Sequence, residues 1–282
     1  MRKPAVMVAR QASVDIIVQS TDSYSDCWNP FFTLFRKYWP TCRHPIILNA
    51  ETLTYSHPGL DIRCYAQLCP AGPAPATWSE SLLSCLSLTQ SDVVLLLLDD
   101  FFISGPVDDN AVEHYLAVMR RCSYPYITLT DHSRERPAIP TEDPSLLEVS
   151  QTARYRLNTS PALWQREALK GYLLPHESGW AFEVFGSRRA RHRRDRFFVA
   201  RSRESSHRPA SVIPYFEGPL DTGIVKGRWQ RETATFLARE GLSVDYAVRG
   251  FYQPKSRFRN RCLLLGRFLK TPSDLFRSLV SK

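Results

Sequence analysis

The chain lacks any apolar run long enough to cross a bilayer: its longest aliphatic stretch, residues 93–98, falls far short of the roughly 20 residues that a spanning helix needs. Near the start, Arg10 and Asp15 interrupt the apolar residues before they reach signal-peptide length, so the sequence predicts an unprocessed, cytoplasmic protein. No GxGxxG, P-loop, GxSxG or HExxH motif is present, which leaves nicotinamide, P-loop NTPase, serine-hydrolase and zincin chemistry without support. The seven cysteines, at 27, 42, 64, 69, 85, 122 and 262, are odd in number, scattered and without a CxxC pair. They are expected to be buried or incidental thiols and not metal or redox groups. Histidines stand singly, and His176, the one nearest a candidate acid, is expected in a loop.

What the chain does have is apolar bulk. Of its 282 residues 43% are hydrophobic and 12% aromatic, enough to bury a large core and to exclude a disordered chain. The formal net charge is +9, from 37 Lys+Arg against 28 Asp+Glu, and it is unevenly spread. Residues 249–282 hold nine Lys/Arg and one acid, Asp274; residues 188–196 hold six Arg and one Asp. The other 239 residues sum to −4, so two basic patches sit on a slightly acidic body.

Residues 14–20 form an apolar run, followed by a polar loop and a helically spaced segment at 28–38. Further short strands are predicted at 45–49 and 61–65, a Pro/Ala loop at 70–77, and a helix at 78–90. Residues 93–98 are apolar on consecutive positions, as in a strand covered on both faces in the middle of a mostly parallel sheet. The later pattern predicts a helix at 112–121, a strand at 126–129, and a loop or short helix at 141–147. It continues with a strand at 155–158, a helix at 161–172 with Pro near its start, and a helix at 232–240 closed by Gly241. Strands alternating with helices argue for an α/β sandwich with right-handed crossovers. No repeat or internal linker appears, so one domain at 1–248 with a basic extension at 249–282 is expected.

Three clusters could carry chemistry. In LLLLDDFF, residues 95–102, Asp99 and Asp100 end the fully apolar strand, where open α/β sheets bind ligands. Adjacent acids repel unless a cation or hydrogen-bond donors meet them, and a hard divalent cation bridging to phosphate would do so. A solvated cap of the following turn is the alternative. In HESGWAFEVFGS, residues 176–187, Glu183 stands among Trp180, Phe182 and Phe185, a setting that suits a general base; the alternative is an exposed acid on an amphipathic helix. Glu177 suits a solvated helix cap. In GIVKGRW, residues 223–229, Gly223 and Gly227 bracket Lys226, with Arg228 and Trp229 beside it: a mobile cationic loop able to close over a diphosphate, or a surface turn.

The order of the first strand, DSYSDCWNPFFTLFRKYWP, PIILN, WSESLLSCL and VVLLLLDDFFI resembles bacterial GT-A-fold glycosyltransferases of surface polysaccharide and lipopolysaccharide synthesis, as do the blocks LNTSPALWQREAL, ESGWAFEVFGS and GIVKGRW. The resemblance covers residues 14–242. It implies a GT-A-like, Rossmann-type α/β/α sandwich and an inverting transfer of sugar from a nucleotide-sugar donor to a glycan or lipid-linked acceptor. Asp99-Asp100 is similar to the DXD motif of that fold, which implies that Asp99 contacts the donor ribose and Asp100 binds Mn²⁺ or Mg²⁺. The chain has Leu98-Asp99-Asp100 where the motif has Asp-x-Asp. By the same resemblance Ser20, Thr21 and Asp22 meet the nucleotide, Trp78 and Ser79 line its pocket, Glu183 is the catalytic base, and Lys226 and Arg228 neutralise the leaving diphosphate.

The tail FRNRCLLLGRFLKTPSDLFRSLV interleaves cations with Leu and Phe, as an interfacial helix on an anionic membrane does; packing on the domain is the alternative. The expectation is therefore a peripheral protein at the inner face of the cytoplasmic membrane, with no nucleic-acid partner. Two rival classes stay open. One is a nucleic-acid-binding module using the Arg run and tail, against which the aromatics lie away from the arginines. The other is a catalytically inactive homologue that binds glycan or membrane.

Overall fold

The computed structural model describes residues 14–68, 77–130, 138–201, 211–216, 218, 222–254 and 272–280; most of the basic tail, residues 255–271, lies outside them. Strands β1 (Asp15–Gln19), β2 (Ile46–Asn49), β3 (Ile62–Cys64) and β4 (Val93–Leu98) lie parallel in the order β3-β2-β1-β4. Beyond β4 the sheet continues through β8 (Ala162–Gln165), β5 (Tyr126–Thr128), β9 (Phe197–Ala200), β7 (Leu146–Val149) and β6 (Ala138–Pro140). Seven of these nine strands run one way and β7 and β8 run the other, which is the expected mostly parallel α/β sheet.

Side chains alternate between its faces with the strand period of two. Ile16, Val18, Leu95 and Leu97 point to one side, where α1 (Ser25–Tyr38) and α4 (Asp109–Cys122) cover them. Ile17, Val94, Leu96 and Trp164 point to the other, against α3 (Trp78–Leu88), α5 (Arg166–Tyr172) and α6 (Gly179–Arg193). The remaining α-helices among the described residues are α2 (Tyr65–Leu68), α7 (Arg231–Arg239) and α8 (Pro272–Val280). Among the described residues no helix is long and apolar enough to cross a membrane.

Three expectations for the second half are corrected in whole or in part. Of the loop or short helix expected at 141–147, the loop holds for 141–145, while the last two residues enter β7, which pairs with β6 as an antiparallel hairpin. Residues 155–158 form no strand but a turn-rich approach to β8. Residues 162–165 are a strand, with the helix starting only at Arg166. The Ala-Leu-Trp run sits between β4 and β5 with both faces covered, and a consecutive apolar run fits a buried strand as well as a helix.

Glu177 is also corrected. It is 1% exposed, not solvated, and forms a two-pronged ion pair with buried Arg189 at 2.8 and 2.6 Å. Its carbonyl accepts the Ser79 N–H at 3.1 Å, so the start of α3 is tied to the turn before α6. Removing one charge from a buried pair strands the other, which costs on the order of 3–5 kcal/mol. Glu177→Gln should therefore lower the urea midpoint clearly, whereas Glu167→Gln, at the exposed pair with Lys170, should leave it unchanged; similar midpoints for both variants would contradict this account.

Candidate active site

From β1 the chain winds outward to β3 on one side and returns to β4 on the other. The crevice between the carboxyl ends of β1 and β4 is thus the topological switch point, where open α/β sheets hold ligands. Ser20 follows β1 and Asp99-Asp100 follow β4, so the sheet itself brings these candidates together.

Asp99 is 3% exposed. Its Oδ2 accepts the Ser20 hydroxyl at 2.5 Å, and the Trp28 indole Nε1 donates to that hydroxyl oxygen at 2.7 Å. Asp100, half-buried, accepts the Thr222 hydroxyl on Oδ2 at 2.5 Å, and its carbonyl accepts the Gly223 N–H at 2.7 Å. Burial, and then the neighbouring Asp100 charge, hold the Asp99 carboxyl well above the usual carboxylate range. Burial pushes Asp100 up to about 6, against the lowering pull of Thr222 and Arg249. A solvated cap of a turn, the alternative for this pair, does not describe such an environment.

Arg249, which sequence reading grouped with the tail, belongs to this site. Its guanidinium pairs with Asp26, Nε donating at 2.8 Å, and stacks 4.5 Å from the Tyr24 ring. Trp229 Nε1 donates to the same Asp26 oxygen at 3.1 Å. The cation pulls both site acids down, while burial and the Asp100 charge push the Tyr24 phenol up to about 12. The available signal was local: Phe251 and Tyr252 follow Arg249 directly, a pattern of domain packing and not of a solvated tail.

The GIVKGRW segment takes the turn alternative and is a tight hairpin. Strands β10 (Ile224–Val225) and β11 (Arg228–Trp229) pair across Lys226 and Gly227, whose φ values of 51° and 75° are both positive, as a two-residue primed hairpin turn requires. Gly223 is fixed by space: a Cβ there would overlap the Phe102 ring and stand 2.9 Å from the Asp100 carbonyl oxygen. Lys226 and Arg228 line a cleft of about 470 Å³ with Phe251, Tyr252 and Gln253, and Lys226 Nζ lies 5.8 Å from the Tyr252 ring centroid. The hairpin thus starts on Asp100 and ends in a cationic, aromatic cleft.

Glu183 lies one turn into α6, which is capped by Ser178. Its Oε1 accepts both the N–H and the hydroxyl of Thr159 at 2.8 Å. Thr159 precedes β8, and the register Leu96↔Ala162 carries that segment up alongside the carboxyl end of β4. Glu183 and the two aspartates therefore share one end of the sheet.

The other candidates divide. Thr21 Oγ1 is 2.6 Å from Ser23 Oγ. Asp22 spends its carboxylate on the backbone N–H groups of Glu51, Thr52 and Leu53, at 3.0 to 3.2 Å, and on the Thr52 hydroxyl. Those bonds hold its carboxyl below the usual range in spite of burial and staple the loop after β1 to the loop after β2. Trp78 packs 3.4 Å from the Cβ position of Gly179 and 5.4 Å from the Phe182 ring, beside Glu183. Ser79 is wholly buried beneath it.

Two carboxylates at a strand end match the donor set of a hard divalent cation. Among the described residues no three His, Cys, Asp or Glu come together as a metal cluster, so a cation at Asp99-Asp100 would take its other ligands from phosphate oxygens and water, the usual manner of Mg²⁺. The donors present fit such an ion.

The Arg run has other duties. Arg189 pairs with Glu177, Arg191 donates to the Ala153 carbonyl, Arg193 stacks on Tyr172, and Arg196 pairs with Glu148 at 2.7 Å. Arg193 lies ten residues beyond Glu183 on α6, about 15 Å along the axis.

No family model and no curated protein matches the chain. Solved structures that resemble it are TarS of S. aureus, residues 1–349, at 12% identity, TM-score 0.47, covering 72% of this chain and 59% of that one, and glucosyl-3-phosphoglycerate synthase from Mycobacterium tuberculosis with Mn²⁺, uridine diphosphate and glucosyl-3-phosphoglycerate, at 13%, TM-score 0.43, covering 68% and 72%. A mycobacterial protein matches at 13%, TM-score 0.42, over 86% and 81%. The chain spans about three-fifths of the TarS fragment. At these TM-scores the likenesses carry no argument about the reaction, which rests on the residues above.

Folding moves the Asp100 pKa from 3.8 to about 6, so between those values the folded chain holds a proton that the unfolded chain has released. Stability accordingly falls as pH rises through that window. Asp100→Asn should melt a few degrees above the parent at pH 8, and the gap should close by pH 4; an equal difference at both pH values would contradict the burial of this acid.

Proposed function

We propose that the protein is an inverting glycosyltransferase that moves a sugar from a nucleotide-sugar donor to a hydroxyl acceptor. The observation that supports this reading is an aspartate pair at the switch point of the sheet and, at the same end of the sheet, Glu183, a separately anchored carboxylate on another element. Each has a distinct task in such a transfer.

Glu183, held by Thr159 on one oxygen, takes the proton from the acceptor hydroxyl. The acceptor oxygen then bonds to the anomeric carbon from the face opposite the nucleotide, the bond from that carbon to the diphosphate oxygen breaks, and configuration inverts. Ser20, Thr21 and Trp78 form the wall of the nucleotide site, Ser79 is buried behind it and does not face the donor, and Asp22 fixes the shape of the site by joining the two loops. Asp99 meets the ribose side of the donor. Lys226 and Arg228 set positive charge where the diphosphate departs, a preorganised stabilisation of developing charge. Mn²⁺ or Mg²⁺ held by Asp100 would supply Lewis-acid neutralisation of that leaving group.

The acceptor class we propose is a glycan or lipid-linked sugar of cell-surface polysaccharide. A nucleic-acid role has less support, because four of the six arginines in the run are engaged within the domain.

With the matching nucleotide sugar, Glu183→Gln should lower kcat by about 10²- to 10⁴-fold and leave the donor KM nearly unchanged, while Asp100→Ala should impair donor binding as well. Steady-state kinetics over a panel of nucleotide sugars reads both effects, and unchanged turnover in either variant removes that residue from its role.

A further inference from the structure

Over its last turn, helix α8 turns a polar side chain inward and apolar side chains outward. Ser278 is 2% exposed and lies 2.9 Å from His176 Nε2, in the turn that leads into α6, while Phe276, Leu279 and Val280 are 66%, 42% and 57% exposed. These three stand at i, i+3 and i+4, so they share one face, and that face looks away from the domain.

We infer that the outer face of α8 docks on an anionic lipid surface. Charge complementarity selects this occupant. Residues 255–282 carry eight Lys/Arg against one acid, Asp274, and Arg277 lies exposed on α8 beside the apolar face. A few apolar side chains flanked by cations are what an interfacial helix needs. They are too few for a second copy, because a stable protein interface buries about 1,200–2,000 Å² and α8 has nine residues. The anchor also has a direction. Contact between α8 and α6 and the His176–Ser278 bond fix it beside the N-terminal part of α6, which carries Glu183. Docking therefore turns the Glu183 end toward the headgroups, where a lipid-linked acceptor presents its hydroxyl; this last step rests on the proposed transferase activity.

The test is sedimentation of the full chain with vesicles of phosphatidylcholine alone or with about one-third phosphatidylglycerol, for the parent and for the triple variant Phe276→Ser/Leu279→Ser/Val280→Ser, with nucleotide-sugar hydrolysis followed in parallel without lipid. The parent should partition to the anionic vesicles, and the triple variant about tenfold less, with its melting temperature and hydrolysis rate kept. Equal binding by parent and variant, equal binding to neutral vesicles, or a parent dimer that the substitutions dissolve would each overturn the docking proposal. Because these substitutions are polar and on the surface, folding is checked by the melt; His176→Ala, which loosens the seat of α8 and leaves its apolar face intact, should still bind vesicles. Absent hydrolysis in a vesicle-binding parent would count against the transferase reading alone.

Discussion

Two carboxylates, adjacent in sequence at the end of β4, one buried and the other half-buried, set the terms for the surrounding structure. Burial disfavours the charged form of each, and each disfavours the charge of the other. The neighbourhood answers with short hydrogen bonds and one cation. Ser20, itself held by Trp28 of α1, meets Asp99, and Thr222 meets Asp100. Arg249 lends positive charge to both while Asp26 and Tyr24 hold it. These residues come from the β1–α1 turn with the start of α1, from the segment before β10 and from the chain after α7, so three remote stretches converge on one pair. Such an arrangement costs stability at neutral pH, a trade expected where function needs charge in a dry place.

The first half of the fold was legible because its strands are apolar on consecutive residues and its helices are spaced at 3.6. Val93–Leu98 announced a central covered strand, and the aspartates after it marked the candidate site at its end. The second half misled for a physical reason: Ala162–Leu163–Trp164 is covered on both faces, which erases the alternation that separates a strand from a helix. Glu177 misled for another. An acid two residues before a helix is commonly a solvated cap, and its partner Arg189, twelve residues on, was hidden in a run that looked like surface charge. Arg249 was concealed in the same way by the basic residues that follow it.

The charge of the chain also changes meaning. Read along the sequence, +9 falls in two basic patches; in the folded chain, four arginines of the first patch and Arg249 of the second are structural. Phe276, Leu279 and Val280 of the last helix face outward while Ser278 faces in, so apolar surface and positive charge meet in the segment that sits beside α6.

The measurement that bears most directly on the central claim is the thermal shift of the parent and of Asp100→Ala with a series of nucleoside diphosphates, each with and without Mn²⁺. Stabilisation by one diphosphate, strengthened by Mn²⁺ and lost in Asp100→Ala, is the expected result, since a ligand bound only to the folded state raises the melting temperature with its occupancy. No shift with any diphosphate, or a shift that is the same without metal and in the variant, would contradict a donor site built on the aspartate pair.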